Sequence, residues 1–175
     1  RREPVLFKVR LSERGPLVRD LRRETVALAW TAGEGASAIG AFLGMSRAAS
    51  VYDLAAAWEG AIGPSMNLVA GDVDGHILHQ VVGLAPDRRR GAGRLPSPGA
   101  DSRWAWQGFR PYASNPRTID PRDGFVATAN HDLFAEGSTT ATPFPGDFAA
   151  PWRYRRIRQQ LATRDDWDVA SCLEL

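Results

Sequence analysis

Hydrophobic positions along the chain fall into short blocks whose spacing changes several times. Near the N-terminus an apolar run over 5–10 and Leu17–Val18 flank Glu13-Arg14-Gly15-Pro16, a turn signal, which predicts a hairpin. Thr25–Trp30 is β-rich and almost continuously apolar, as a buried strand is. The spacing then becomes helical. Ile39, Phe42, Leu43 and Met45 predict a helix over 36–45, and Ser50 stands as the cap of a second helix over 51–60. Two short β patterns, 67–73 and 77–82, are joined by Asp74-Gly75, a dipeptide favoured in tight hairpin turns.

From Gly83 to Gly124 prolines and glycines crowd the chain, around the basic run 88–94 and the pair Trp104 and Trp106. Composition there is that of a disordered linker, but the tryptophans argue that the stretch lies against a surface. A strand is expected at 125–129, a loop at 131–150, and a helix opening at Pro151 with Trp152, Ile157 and Leu161 turned inward. Thr163 with Asp166 three residues on resembles a capping box for a last helix through Trp167, Val169, Ala170 and Leu173. Strands and helices in this mixture predict an α+β fold. That last pattern runs out without a glycine or proline, and no methionine opens the chain, so a segment truncated at both ends is expected.

Composition adds limits more than direction. With 175 residues, 43% hydrophobic and 24% charged, the chain suits one domain able to bury a core without staples. A single cysteine, Cys172, rules out an internal disulfide framework. No apolar run approaches the roughly 20 residues of a membrane span, and RREPVLFKVR is not a signal peptide. The net charge of +2 does not announce a nucleic-acid protein. Lys8 is the sole lysine, so arginine carries the positive charge and favours planar, hydrogen-bonded contacts.

Several constellations can be written down and set aside. Asp72-Val-Asp74-Gly75 begins like a calcium loop, but no acidic residue follows until Asp87. Ser65 or Ser138 with His76, His79 or His131 makes a paper triad, yet no serine sits in a G-x-S-x-G elbow. Cys172 lies far in sequence from any histidine, and the basic run at 88–94 reads as a solvated loop. What remains is Asn130, at the end of the strand expected over 125–129, and Arg153 at a helix start. A carboxamide NH₂ can stabilise a developing oxyanion without proton transfer, and an arginine nearby can orient it or hold a carboxylate.

An ordered series of motifs carries a resemblance. It comprises Glu13-Arg14-Gly15-Pro16-Leu17-Val18, Leu28-Ala29-Trp30-Thr31, Asn67 through Ile77, and Gly93-Arg94-Leu95-Pro96-Ser97-Pro98-Gly99. It continues through Trp104-Ala105-Trp106-Gln107-Gly108-Phe109, Asn115-Pro116, Pro121 to Phe125, Ala127 to Asn130, and Arg153 to Ile157. In order and spacing the series resembles the penicillin amidase (penicillin acylase) family of N-terminal-nucleophile hydrolases.

The resemblance implies a partial αββα sandwich, with 1–175 a single interior segment of the large β subunit and one sheet face left without its natural cover. It implies an amide hydrolase whose serine, exposed by autoproteolysis, attacks an N-acyl amide with its own α-amine as base. That serine would lie outside this chain, so the isolated chain is expected to be inactive. Asn130 is implied as the side-chain half of the oxyanion hole and Arg153 as the arginine near it, while Trp30 and Met66 fall close to positions lining the acyl pocket. No cofactor is implied. The family's calcium ligand is not carried over, because Thr140 and Thr142 occupy its neighbourhood and Asp147 sits too close to Arg153. Implied partners are a small-molecule N-acyl amide, the remainder of the β subunit and an α subunit, with no nucleic acid and no membrane; the implied location is periplasmic or secreted. The chain departs from the family at Arg1, where no serine stands, and at Arg14, often a histidine. β-Lactam side chains, acyl-homoserine lactones and other amides all stay open as acyl donors. A different class, a non-catalytic module gripping a ligand through Trp104, Trp106 and the arginines, is the alternative.

Overall fold

The chain first reverses at the Glu13-Arg14 turn. A computed structural model describes residues 3–21, 24–34, 38–90, 93, 95–133 and 148–173, with the backbone alone at 19–21, 24 and 34. Strands β1 (Leu11–Ser12) and β2 (Gly15–Leu21) form a hairpin about the expected turn, with a first strand two residues long, and β3 (Glu24–Ala27) pairs antiparallel on the far edge of β2. Gly15 adopts φ +111°, and a Cβ there would come within 2.1 Å of the Leu28 carbonyl oxygen, so only glycine fits. Two expectations fail here. The run 5–10 forms no strand: among the described residues it has no ladder partner before Arg10, whose carbonyl accepts from Leu17, and Leu6 is 98% exposed. The apolar run 25–30 is not a buried strand either. It stops at Ala27, leaving Leu28 and Trp30 exposed before a 3₁₀ turn, Thr31–Glu34.

Helix α1 (Ala38–Met45) turns Ala41 and Met45 inward and sets Phe42 edge-on to Trp58, with ring centroids 5.2 Å apart. Ile39 and Leu43 stay exposed, so the apolar face is wider than the surface that covers it. Helix α2 (Val51–Ala56) is capped as the sequence predicts. Ser50 Oγ accepts from the Asp53 amide at 3.1 Å, and the Asp53 carboxylate accepts from the Ala49 amide at 3.1 Å. The helix ends at Ala56, not at 60, because the following turns carry Trp58 into full burial with its Nε1 donating to Met45 Sδ.

The central sheet has the order β4 (Met66–Gly71), β5 (Ile77–Val82) and β8 (Arg117–Ile119), all antiparallel, with Asp74-Gly75 in the turn between the first two. Its register, Met66 opposite Val82 through Gly71 opposite Ile77, sorts the side chains by alternation. Met66, Leu68, Ala70, Leu78 and Val82 face α1 and α2, in two clusters around Trp58 and around Val51 with Ala55. Asn67, Val69 and His79 take the other face, where Val69 is half exposed.

The glycine- and proline-rich stretch is not a linker. It supplies a two-stranded sheet, β6 (Pro86–Arg88) with β7 (Trp106–Phe109), and then β8. Tyr112 Oη donates to the Ala55 carbonyl at 2.9 Å, and burial pushes its phenol up to about 12. Buried Asn115 donates to Val81 O and Gly83 O. Trp106 does lie against structure: Arg88 stacks over its ring, 5.2 Å from the centroid, and Trp104 is half-buried.

Residues 125–129 are half-buried but irregular, so the strand expected there is corrected to a segment with no ladder partner among the described residues. Helix α3 (Trp152–Leu161) begins at Pro151 and half-buries Tyr154, Ile157 and Leu161, whereas Trp152 is 70% exposed and does not face inward. The capping box of α4 (Val169–Cys172) is Asp168 with Ser171, not Thr163 with Asp166. Thr163 instead closes α3 by donating to Gln160 O. The architecture is mixed, with small antiparallel sheets and few helices, as an α+β class requires. Among the described residues no helix is long and apolar enough to cross a membrane.

Candidate functional site

Asn130 ends the irregular segment with φ +58°, a left-handed conformation that asparagine tolerates better than most residues. Its side chain is exposed, and its carbonyl accepts from the Ala149 amide at 3.0 Å. The residues on either side are both held by the first turn of α3. Arg153 Nη2 donates to the Ala129 carbonyl at 2.9 Å, and the His131 ring lies flat on Tyr154, with centroids 3.6 Å and planes 15° apart. Asn130 and Arg153, singled out from the sequence, are thus neighbours in the fold.

A cavity of about 810 Å³ opens between this segment, β5, β8 and α3. Its walls include His79, Phe125, His131, Tyr154 and Arg158. That volume lies in the range of small-molecule sites. Arg158 is ion-paired to Asp123 and lies over both the Phe125 and Tyr154 rings, 5.9 Å from each centroid.

Two imidazoles on this wall favour their neutral form. Burial lowers the pKa of His79, with the His131 charge acting in the same direction. The His79 Nε2 lies 2.8 Å from Asn67 Oδ1, which fits a proton on Nε2. Burial also lowers the pKa of His131, opposed by Asp132; its Nδ1 is buried without a hydrogen-bond partner among the described residues. Beside the two imidazoles the walls carry charged side chains, Asp123, Asp132, Arg155 and Arg158, and neither Asn130 nor Arg153 lines the cavity, although His131, next to Asn130, does.

The other predicted residues lie elsewhere. Met66 is half-buried on the helix-facing side of the sheet, packed on the Trp58 and Val82 cluster, opposite the face that carries His79. Trp30 is 62% exposed, and its neighbour Thr31 has Oγ1 3.7 Å from where a Cβ of Gly63 would sit. Thr31, next in the chain after Trp30, therefore approaches the segment just ahead of Met66. Ser138, Thr140, Thr142, Asp147 and Arg94 lie outside the described residues. Among the described residues no group of three His, Cys, Asp or Glu side chains is placed to hold a metal ion. Asp72 instead caps its own turn, accepting from the Asp74, His76 and Val51 amides.

Sequence reasoning missed Tyr154 and took His131 only as a possible triad member. The available signal was position: each immediately follows one of the two candidate residues.

Comparison with known proteins gives a consistent set. The penicillin amidase family model matches residues 1–175. The penicillin acylase 2 proenzyme of Pseudomonas sp. strain SE83 is 39% identical over 118 residues, which is 67% of this chain and 15% of that protein. The acyl-homoserine lactone acylase QuiP of Pseudomonas aeruginosa is 31% identical over 134 residues, 77% of this chain and 16% of that protein. Penicillin G acylase of Escherichia coli is 37% identical over 81 residues, 41% of this chain and 10% of that protein. The chain spans no more than 16% of the length of these curated relatives.

Proposed function

Since the chain belongs to the penicillin amidase family, we propose that it is part of an acylase that hydrolyses an N-acyl amide bond. Its strands and helices then contribute to an αββα sandwich completed by the remainder of a β subunit and by an α subunit. In this reading a serine outside this chain attacks the acyl carbonyl. Its own α-amine, with an ordinary pKa of about 7.7–8.0, takes the hydroxyl proton, so base and nucleophile share one residue. The carbonyl oxygen becomes an oxyanion, and Asn130 Nδ2 donates to it. The α-ammonium gives that proton to the departing nitrogen, the neutral amine leaves, and water hydrolyses the acyl-enzyme to a carboxylic acid. This chain alone is not expected to turn over an amide.

The observation that carries the reading is the Arg153–Ala129 hydrogen bond, which ties the turn bearing Asn130 to a helix. An oxyanion donor acts by being already in place when charge develops, so a tethered turn is what the chemistry needs. Trp30 and Met66 enter this reading as acyl-side residues through the family resemblance alone, since Met66 packs in the Trp58 and Val82 cluster on the sheet face opposite His79. The acyl group is that of a β-lactam side chain, an acyl-homoserine lactone or another amide. The enzyme belongs in the periplasm or outside the cell.

The test is steady-state hydrolysis of phenylacetyl and fatty-acyl amides by the complete enzyme and its Asn130→Ala variant. Loss of one such donor lowers kcat by roughly 10²–10³, with KM much less affected, because the ground-state carbonyl needs the donor less. An Asn130→Ala enzyme that folds and keeps its kcat would sink the assignment.

A further inference from the structure

The Asn130 turn depends on more than one tether. An oxyanion donor has to be held within about 0.5 Å and 10–20° of its working position. Asn130 is exposed and belongs to no strand or helix, so its own surroundings fix little. The constraint comes from its neighbours. Arg153 holds the carbonyl before it, Ala149 donates to its own carbonyl, and the Tyr154 ring lies against the His131 ring after it.

That last contact differs in kind from three other ring pairs of the fold. Phe42–Trp58, Tyr52–His76 and Trp106–Phe109 are edge contacts with centroids 5.2 to 6.2 Å apart, whereas His131 and Tyr154 are face to face at 3.6 Å. Tyr154 is itself backed by Arg158, one helical turn on, whose guanidinium lies over its ring. The neutral form of His131, favoured by burial, keeps the stack free of a desolvated charge. Arg153 and Tyr154 are consecutive residues of one helix, so the carbonyl on one side of Asn130 and the ring on the other are referred to the same rigid element.

We propose that Tyr154 is a positioning residue for Asn130, acting through its stack on His131 to hold the 129–131 turn in the setting from which the carboxamide donates. This rests on the oxyanion reading given above. It makes the aromatic face of Tyr154, and not its hydroxyl, the functional part of the side chain.

The experiment is a double-mutant cycle in the complete enzyme, with kcat and KM measured on the folded fraction. Tyr154→Phe keeps the ring and is expected to keep kcat within about twofold. Tyr154→Leu removes it and should lower kcat by about 10- to 100-fold, the cost of a misplaced donor, with KM within about threefold. In the Asn130→Ala background the same Tyr154→Leu change should have no further effect on kcat, because no donor is left to position. Should Tyr154→Leu not fold, His131→Leu breaks the stack from its other side and His131→Phe restores a ring. A folded Tyr154→Leu enzyme with normal kcat, beside an impaired Asn130→Ala enzyme, overturns the positioning role and leaves the oxyanion reading standing. Additive losses in the cycle overturn it as well. Normal kcat in Asn130→Ala removes both.

Discussion

Arg153 Nη2 donates to the carbonyl oxygen of Ala129 at 2.9 Å, so the residue before Asn130 is fastened to the first turn of α3. The bond uses one N–H of a planar fork, and an ammonium on a flexible stem does not reproduce that geometry. Arg153→Lys in the complete enzyme should therefore lower kcat by about 10-fold although the charge is retained. Steady-state kinetics checks it. Full activity in the lysine variant would mean that the charge matters and the tether does not.

How much of this was legible in the sequence depends on the range of the forces involved. The Asp74-Gly75 hairpin, the Ser50 cap and the Pro151 helix start are local, and residues within a turn of one another decide them. β8 was not legible. It is three residues long and exists because Arg117–Ile119 finds the free edge of β5 from 35 or more residues away. The converse error came at 5–10 and 125–129, where strand-like composition pairs with no edge among the described residues.

The site shows the same division. Asn130 and Arg153 came from residue chemistry and a family resemblance, but nothing in the spacing of 23 residues says that Arg153 meets the carbonyl of Ala129. The His131–Tyr154 stack was beyond reach for the same reason, being a contact between a turn and a helix. Trp152 is apolar but off the stripe: it stands five residues before Ile157 and nine before Leu161, whereas Tyr154, Ile157 and Leu161 follow the i+3/i+4 spacing of one helix face, and it is left largely uncovered.

Asn115 makes a test of the middle of the fold. It is 5% exposed and its Nδ2 donates to Val81 O at 2.9 Å and to Gly83 O at 2.8 Å. Val81 O also accepts from Gln80, so Gly83 O is the acceptor that loses most. Asn115→Ala should destabilise the fold by about 2 kcal/mol, the cost of leaving a buried carbonyl unpaired. A urea midpoint unchanged by the substitution would show that the loop after Tyr112 is not fastened to β5 in this way.

Gly83 is a second point of fixed geometry. Its φ is +83°, and an added Cβ would lie 2.9 Å from Pro64 O and 3.0 Å from Ser65 Cα, both backbone atoms. Alanine there combines left-handed strain with a clash no side chain can relieve, so Gly83→Ala should destabilise by about 2 kcal/mol or more. Gly99→Ala, where nothing lies within 4 Å, is the control and should stay within about 0.5 kcal/mol. Equal midpoints for the two variants would contradict the close approach of 64–65 to 83.

The strand β5 and its turn give two histidines opposite pH dependences, which allows a prediction whose sign is internal to the protein. His76 Nδ1 lies 2.7 Å from Asp120 Oδ2, and that hydrogen bond raises the imidazole pKa above its ordinary 6.5, against burial and with help from the charges of Asp120, Asp72 and Asp74. The folded state then binds the proton more tightly than the unfolded chain. The stabilisation is fully present below pH 6.5 and is lost as pH rises through the folded pKa. His79 behaves in reverse. Burial lowers its pKa, reinforced by His131, so the unfolded chain takes the proton first and stability falls as pH drops below 6.5. Urea midpoints measured between about pH 5 and 8 should therefore separate the variants. His76→Gln should cost most at the acid end and progressively less toward the alkaline end. His79→Gln should flatten the acid loss, so its deficit relative to wild type shrinks or reverses as pH falls. Salt distinguishes the causes further: both sides of the His76–Asp120 pair are 42% exposed, so high salt should screen the His76 effect, while the burial effect at His79 should persist. Parallel pH profiles for the two variants would show that the Asp120 contact and the burial of His79 do not govern the two imidazoles as the structure places them.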